Sequence, residues 1–292
     1  MKETNHDIVK SNALIEAFYN PGSVYQMRLL IAALMQIKSG EPLDHNRRFE
    51  ITANALADLT GTKARNNYQE LKKAAQTLSQ MVVVVKENPN AEIGAPDETH
   101  INVTSACRYY EKEGKVGLEF GPRIIPYISQ LKSHFTKYQA KYVLPMRSSY
   151  GIRLYELCLQ WLGDEREFEV DEFRRMFGVE KLYDRIDNLK AKVIMPALRD
   201  INTHSDIRVR FGQRKAGVRV SHFQFAITRP VKAAPLDHQA WFNRYGFEKP
   251  YTPHGSGETW FDAKRRTHHE YRKYCRDPET WHEEWKKEAS DG

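Results

Sequence analysis

Residues Leu182–Val220 read LYDRIDNLKAKVIMPALRDINTHSDIRVRFGQRKAGVRV. In the first half Ile186, Leu189, Val193, Ala197 and Ile201 recur three or four positions apart, the spacing of one helical face. In the second half Ile207, Val209 and Phe211 alternate with Arg208 and Arg210, as on a half-buried strand. After a turn, Val218 and Val220 alternate again, followed by Phe223, Phe225 and Ile227. The phase slips by one residue near Ser221–His222, which predicts a β-bulge there. A helix followed by a hairpin is the second half of a winged helix. Charge is concentrated on the same stretch. Between Lys181 and Val220 ten Lys/Arg stand against four acids, a net +6, and the whole 292-residue chain carries +7 with a pI near 9.1. A basic excess gathered on one helix and one hairpin points to nucleic acid as the partner.

On a wheel of about 100° per residue, with the helix taken as 181–204, the outer surface of the N-terminal half carries Lys181, Asp184, Arg185, Asn188, Ala191 and Lys192. This is the half that a recognition helix pushes into the major groove. Arg185 and Asn188 can make paired hydrogen bonds, to guanine and to adenine respectively. Lys181 and Lys192 suit phosphates, and Ala191 permits close approach. Pro196, without an N–H, lies beyond that surface, so a kink there leaves it intact. The turn GQRKAG, with Arg214 and Lys215, and with Arg219 just after it, fits a wing tip gripping phosphate.

Upstream, the same order of elements occurs once more. SVYQMRLLIAALMQIK is a helix with Leu29, Leu30, Ala33, Leu34 and Ile37 on one stripe, and RFEIT is a short strand. In TANALADLTG, Thr52 is the N-cap, Leu56 and Leu59 face inward and Gly61 ends the helix. TKARNNYQELKKAAQTLSQ is a longer helix with Tyr68, Leu71, Ala75 and Leu78 inward. Its outer side carries Lys63, Asn66, Glu70 and Lys73, flanked by Arg65 and Gln69, a weaker DNA-facing surface because Glu70 repels phosphate. MVVVVKE, HINVTSACRYY and KVGLEF then read as strands. The second copy opens with SSYGIRLYELCLQWLG, with Leu154, Leu157, Cys158 and Trp161 inward, then REFEV, then VDEFRRMFG ending at Gly178. The expected fold is α+β: two tandem winged helices from an internal duplication, spanning 1–135 and 136–229, and a basic, aromatic-rich C-terminal extension of partial order at 230–292.

Several function classes are set aside. No run approaches the roughly 18–20 apolar residues that span a bilayer, and the polar N-terminus lacks the features of a secretory signal; a cytoplasmic protein without membrane contact is expected. Cys107, Cys158 and Cys275 are far apart and read as reduced thiols. There is no P-loop, HExxH or CxxC pattern, so neither cofactor nor metal is expected. THHEYRKY offers His268, His269, Tyr271 and Tyr274, but adjacent histidines on a strand point to opposite faces, a poor match to a strand-nicking enzyme. No spacing supports a metal site from His268, His269, Cys275 and His282. A non-enzymatic, sequence-specific binder of double-stranded DNA fits best. A transcriptional repressor and, more distantly, a rolling-circle-type nickase are the alternatives.

The segments YVLPMRSSYGIRLYELCLQW, FEVDEFRRMFGV and YDRIDNLKAKVIMPALRDINTHSDIRV follow ARNNYQELKKAAQTLSQ in an order that covers about residues 8–228. Together they resemble the initiator proteins of theta-replicating, iteron-containing bacterial plasmids. The resemblance implies monomers bound to direct repeats (iterons) at an origin, melting of adjacent AT-rich DNA, and recruitment of the host replication initiator and the replicative helicase. It also implies a monomer–dimer equilibrium, autorepression by dimers at an operator inverted repeat, and control of plasmid copy number. In such proteins the second winged helix does most of the base reading, and the first supplies the dimer interface with additional DNA contacts. Carried over to this sequence, Arg185, Asn188, Lys190 and Lys192 are recognition-helix residues, although the wheel turns Lys190 toward the inner side. Asp184 follows Tyr183 where members of that family are more basic, which points to a repeat sequence of its own.

Overall fold

A short strand that runs straight into a helix occurs in both copies, Arg48–Thr52 into Ala53–Thr60 and Glu165–Glu169 into Val170–Met176, and of these two helices the first has a side-chain cap. The computed structural model describes residues 6–38, 40–62, 64–86 and 98–229, the side chains of 64–67 excepted. After β1 (Asp7–Ser11) and α1 (Asn12–Glu16), the first winged helix comprises α2 (Val24–Leu34), β2 (Arg48–Thr52), α3 (Ala53–Thr60) and α4 (Ala64–Leu78). The Thr52 hydroxyl accepts the Ala55 N–H at 3.1 Å, and Gly61 closes α3 at φ 66°, so both ends of α3 form as the sequence predicts. Leu29, Leu56, Leu71, Leu78, Val116 and Leu118 fill the core between these helices and the sheet.

The chain continues through β3 (Val82–Lys86), β4 (Glu98–Asn102), β5 (Thr104–Tyr110), β6 (Lys115–Phe120) and β7 (Phe135–Gln139). Here the structure corrects the sequence reading. MVVVVKE is a strand, as read, but lies outside the wing: β3 pairs with β4 in a sheet of their own, bridged to Phe18 through Val84. HINVTSACRYY is two strands, divided at the buried Val103, whose N–H turns back to the Met81 carbonyl (3.0 Å). The wing is β5–β6, and β2 extends it in the order β2-β6-β5. The strand β7 returns to pair antiparallel with β1.

The second winged helix repeats the frame with α5 (Ser149–Leu159), β8 (Glu165–Glu169), α6 (Val170–Met176), α7 (Ile186–Leu189), a π-helical turn (Lys190–Ile194), α8 (Met195–His204), β9 (Arg208–Ala216) and β10 (Arg219–Thr228). Its sheet order, β8-β10-β9, matches the first: edge strand, return strand of the wing, outgoing strand of the wing. The expected bulge lies between Val220 and His222, and β5 carries one between Thr104 and Ala106. The second core is built on phenylalanines. Phe173 stacks on Phe177 with centroids 4.3 Å apart and meets Phe223 edge-on at 5.2 Å. Two side chains expected inward are not. Trp161 is 44% exposed because α5 stops at Leu159, two residues short of it. Tyr68 is 39% exposed and lies instead across Gly114 in the first wing.

Helix α5 joins the two copies through buried charge. Arg153, fully buried, donates to the carbonyls of Ile15 and Ala17 and lies 4.2 Å from the Tyr19 ring centroid. Glu156, also fully buried, accepts from Lys10 Nζ at 2.6 Å and from the Tyr138 hydroxyl. Gly178 joins them a second time. At φ 59° only glycine is unstrained, and a Cβ there would lie 2.7 Å from the Asn20 backbone. Among the described residues no helix is long and apolar enough to cross a membrane. The extension from Pro230, with Cys275 and the histidine–tyrosine run, lies outside the described residues.

Candidate nucleic-acid interface

The helix of the second copy begins later than the periodicity suggested. Ile186 is its first residue, Arg185 occupies the N-cap position at ψ 130°, and no side chain caps it. Lys181 therefore lies in a turn before the helix rather than on it, and Arg185 stands at its mouth. The sequence wheel was extended too far because apolar spacing reports a face, not an end. Leu189, Val193, Ala197 and Ile201 are fully buried as expected, whereas Ile186 is only half-buried. Asn188, Ala191 and Lys192 are exposed on the opposite side, as are Lys181, Asp184 and Arg185 before it. Lys190 is half-buried and ion-paired to Asp187 at 3.1 Å. Pro196 does not break the helix. In the π turn before it the Met195 N–H reaches five residues back, to the Lys190 carbonyl, and the helix continues.

The hairpin differs from the expected turn in one respect. Arg214 and Lys215 lie in β9, and the reversal is the two-residue loop Gly217–Val218, with Gly217 at φ 62° and Val218 95% exposed. Arg214 has a partner: its Nε and Nη2 meet the Glu167 carboxylate of β8 at 2.8 and 3.2 Å. That guanidinium holds the Glu167 carboxyl below the usual carboxylate range. Lys215 and Arg219 are exposed and, like Lys181, Arg185 and Lys192, carry no ion pair among the described residues. Between helix and hairpin runs a groove of about 450 Å³, lined by Ile186, Asp187, Lys190, Lys215, Val218 and Arg219. Ile186, Asp187 and Lys190 form its helix side, and Lys215, Val218 and Arg219 its hairpin side; Arg185 and Asn188 are exposed in the opening turn of the helix, outside that lining.

The equivalent surface of the first copy is organised differently. Lys63 lies outside the described residues, and so do the side chains of Arg65 and Asn66 on the first turn of α4. Gln69 is exposed, and Lys73 is exposed but paired to Glu70 at 3.4 Å. The wing tip is the acidic turn Glu111–Glu113 ahead of Gly114. Most of its cations are matched: Lys115 to Glu113 (2.8 Å) and Glu50 (3.2 Å), Lys72 to Glu111 (3.8 Å), and Arg108 and Arg48 to Glu119 (2.6 and 3.3 Å), while Lys112 stands exposed between the two tip glutamates. Burial would raise the Glu119 carboxyl, but the two guanidiniums outweigh it and hold it below the ordinary range.

Sequence reasoning missed Arg174. It reads as one more surface cation on α6, yet it is 8% exposed and donates to the carbonyls of Leu182, Tyr183 and Asp184, just ahead of the helix. Its position between Phe173 and Phe177 on an amphipathic helix was the available signal.

Comparison with known proteins places these features among relatives. The chain matches the family model described as Initiator Replication protein, WH1, over residues 7–159, and that described as Initiator Rep protein, WH2, over residues 169–227. It is 26% identical over 233 residues to a replication initiation protein of Escherichia coli, covering 77% of this chain and 71% of that protein. It is also 26% identical over 247 residues to the PI protein of Escherichia coli, covering 74% of this chain and 81% of that protein. Its fold is similar to the crystal structure of the Pi initiator protein in complex with iteron DNA. The TM-score is 0.63 at 24% identity, covering 76% of this chain and 97% of that one.

Proposed function

This chain belongs to the family of initiator replication proteins built from tandem WH1 and WH2 domains, and from that premise we propose that it initiates plasmid replication by binding directly repeated double-stranded DNA at an origin. The observation that carries the reading is the pairing of a base-reading end with a phosphate-holding edge. Exposed Arg185 and Asn188 lie in the opening turn of the helix of the second copy, and Lys215 and Arg219, outside any ion pair among the described residues, line the hairpin side of the groove whose helix side is Ile186, Asp187 and Lys190. With the helix mouth in the major groove, Arg185 and Asn188 supply bidentate donors to base edges. Lys181, Lys192, Lys215 and Arg219 neutralise phosphates and release their counterions. Lys190 adds a phosphate contact if it exchanges Asp187 for DNA, and Arg214 does so only by leaving Glu167.

The division of labour follows the two surfaces. Residues 136–229 read the repeat. Residues 1–135 add DNA contacts from α4 through Lys63, Arg65, Asn66, Gln69 and Lys73, and supply self-association. Every group named is a donor or a cation, and the proposed role is recognition rather than bond cleavage. Handover to a host initiator and a replicative helicase belongs to the same reading.

The test is enrichment of duplexes from a random pool by the full chain, followed by titration at several salt concentrations. A recovered repeat of defined sequence, bound with a steep salt dependence, supports the proposal. Uniform binding to every duplex sinks it, and a covalent protein–DNA adduct on supercoiled origin DNA with a divalent metal would replace it with a nicking reaction.

A further inference from the structure

Tyr183 is a bulky residue held at φ 57°, in the left-handed region where any side chain but glycine carries strain. It stands three residues before α7, a helix whose entry has no side-chain cap. No local device sets the angle at which that helix starts. What fixes it comes from another element. From α6, Arg174 sends Nη1 to the Leu182 carbonyl (2.9 Å) and Nη2 to the carbonyls of Tyr183 (2.9 Å) and Asp184 (3.1 Å). Three consecutive carbonyl dipoles converge on one cation, an arrangement that repels itself unless the cation is present. A planar guanidinium presents the donors for it in a fixed fork; a lysine ammonium is a flexible point charge. Phe173 on α6 and Phe177 at its C-cap anchor the fork, because they stack in the middle of the phenylalanine core.

We propose that Arg174 is the positioning residue for DNA reading. It clamps the 182–184 backbone in its strained form and so sets where Arg185 and the first turn of α7 stand relative to the wing. The proposal rests on the DNA-binding role above for its consequence, but not for the clamp itself. A residue that merely satisfied buried carbonyls would affect stability alone. A clamp acts on discrimination, since a helix mouth displaced by an ångström still meets phosphates but no longer meets base edges.

The experiment uses the full chain, the duplex that the wild type enriches from a random pool, and a scrambled duplex of the same composition. Arg174→Lys should lower affinity for the enriched duplex by about tenfold or more, leave the scrambled duplex within about twofold, and leave the salt slope unchanged. Unchanged affinity, or equal loss on both duplexes, overturns the clamp. Should Arg174→Lys fail to fold, Tyr183→Gly and Tyr183→Val replace it. Both lose the ring, and only valine resists a positive φ, so the glycine variant should bind the enriched duplex roughly fivefold tighter than the valine variant; parity overturns the proposal. Hydrogen exchange without DNA separates the two levels. Amides of residues 184–189 should exchange faster in Arg174→Lys even if the wild type enriches no duplex. In that case the DNA reading fails while the exchange result still decides the clamp.

Discussion

The two wings share a frame and differ in what they offer to an anion. Each is a bulged hairpin flanked by an edge strand in the same order. The first ends in Glu111, Lys112 and Glu113, two acids around one cation, and Lys72, Lys115, Arg48 and Arg108 behind them are tied to acids. The second ends in a glycine and an exposed valine, with Lys215 and Arg219 on either side and neither in an ion pair among the described residues. The apolar pattern fixes the frame, and the distribution of acids decides which copy of it can hold phosphate. A count of basic residues does not mark a surface, because Arg48, Arg108 and Lys115 would score as well as Lys215 and Arg219 while being already neutralised.

The comparison can be broken most severely where the copies meet. Lys10→Met leaves Glu156 buried without its cation and should cost about 3–5 kcal/mol in urea unfolding. A loss under about 1 kcal/mol would mean that the two winged helices do not depend on this joint. Next in size is base reading. Arg185→Ala should weaken binding to the enriched repeat by about 1–3 kcal/mol and relax preference at one base position. Gln69→Ala on the first copy should lose less, and equal losses in a gel-shift titration would show that both copies read sequence.

The wing turns come third. Gly114→Ala forces an alanine to φ 55° and drives its Cβ into the Tyr68 ring, for about 2 kcal/mol by chemical denaturation. Gly217→Ala at φ 62° meets nothing within 4 Å and should cost only the conformational part, about 1 kcal/mol. The smallest effect is a change of slope. Lys215→Glu should reduce the salt dependence of DNA binding by about one phosphate or slightly more, whereas Glu113→Lys should raise it by no more than about one. If Glu113→Lys has no effect at all, the first wing tip does not approach DNA.

Much of this was legible from local pattern. Thr52, Gly61 and the slip at Ser221–His222 are short-range features, set by residues within a few positions of one another. Val209, Phe223 and Phe225 announce their strands by alternation. The missed features depend on distant partners. Nothing near Arg214 says that Glu167, on a strand two positions away in the sheet, neutralises it. Near Val103, Asn102 and Ser105 are the local turn signals, and without a glycine or proline they do not say that the chain leaves one sheet for another there. Arg174 reads as a solvated charge until the carbonyls it holds are folded against it. Cys158 was legible as a buried thiol, and burial pushes it up to about 12, so it should resist alkylation until the chain unfolds.

The π turn at Lys190–Ile194 has a consequence for how this helix tolerates changes in length. Leu189, Val193, Ala197 and Ile201 are each four apart, and all four are fully buried. On a uniform α-helix every step of four over-rotates by about 40°, so three steps would wind the stripe some 120° around the axis. One extra residue lodged in the widened turn takes back most of that winding. The helix therefore carries a spare residue. Deleting Ala191 shortens the first step to three, and three, four, four is a spacing that a regular α-helix keeps on one face. The reading end and the packing end of this helix can lose a residue between them without turning away from each other.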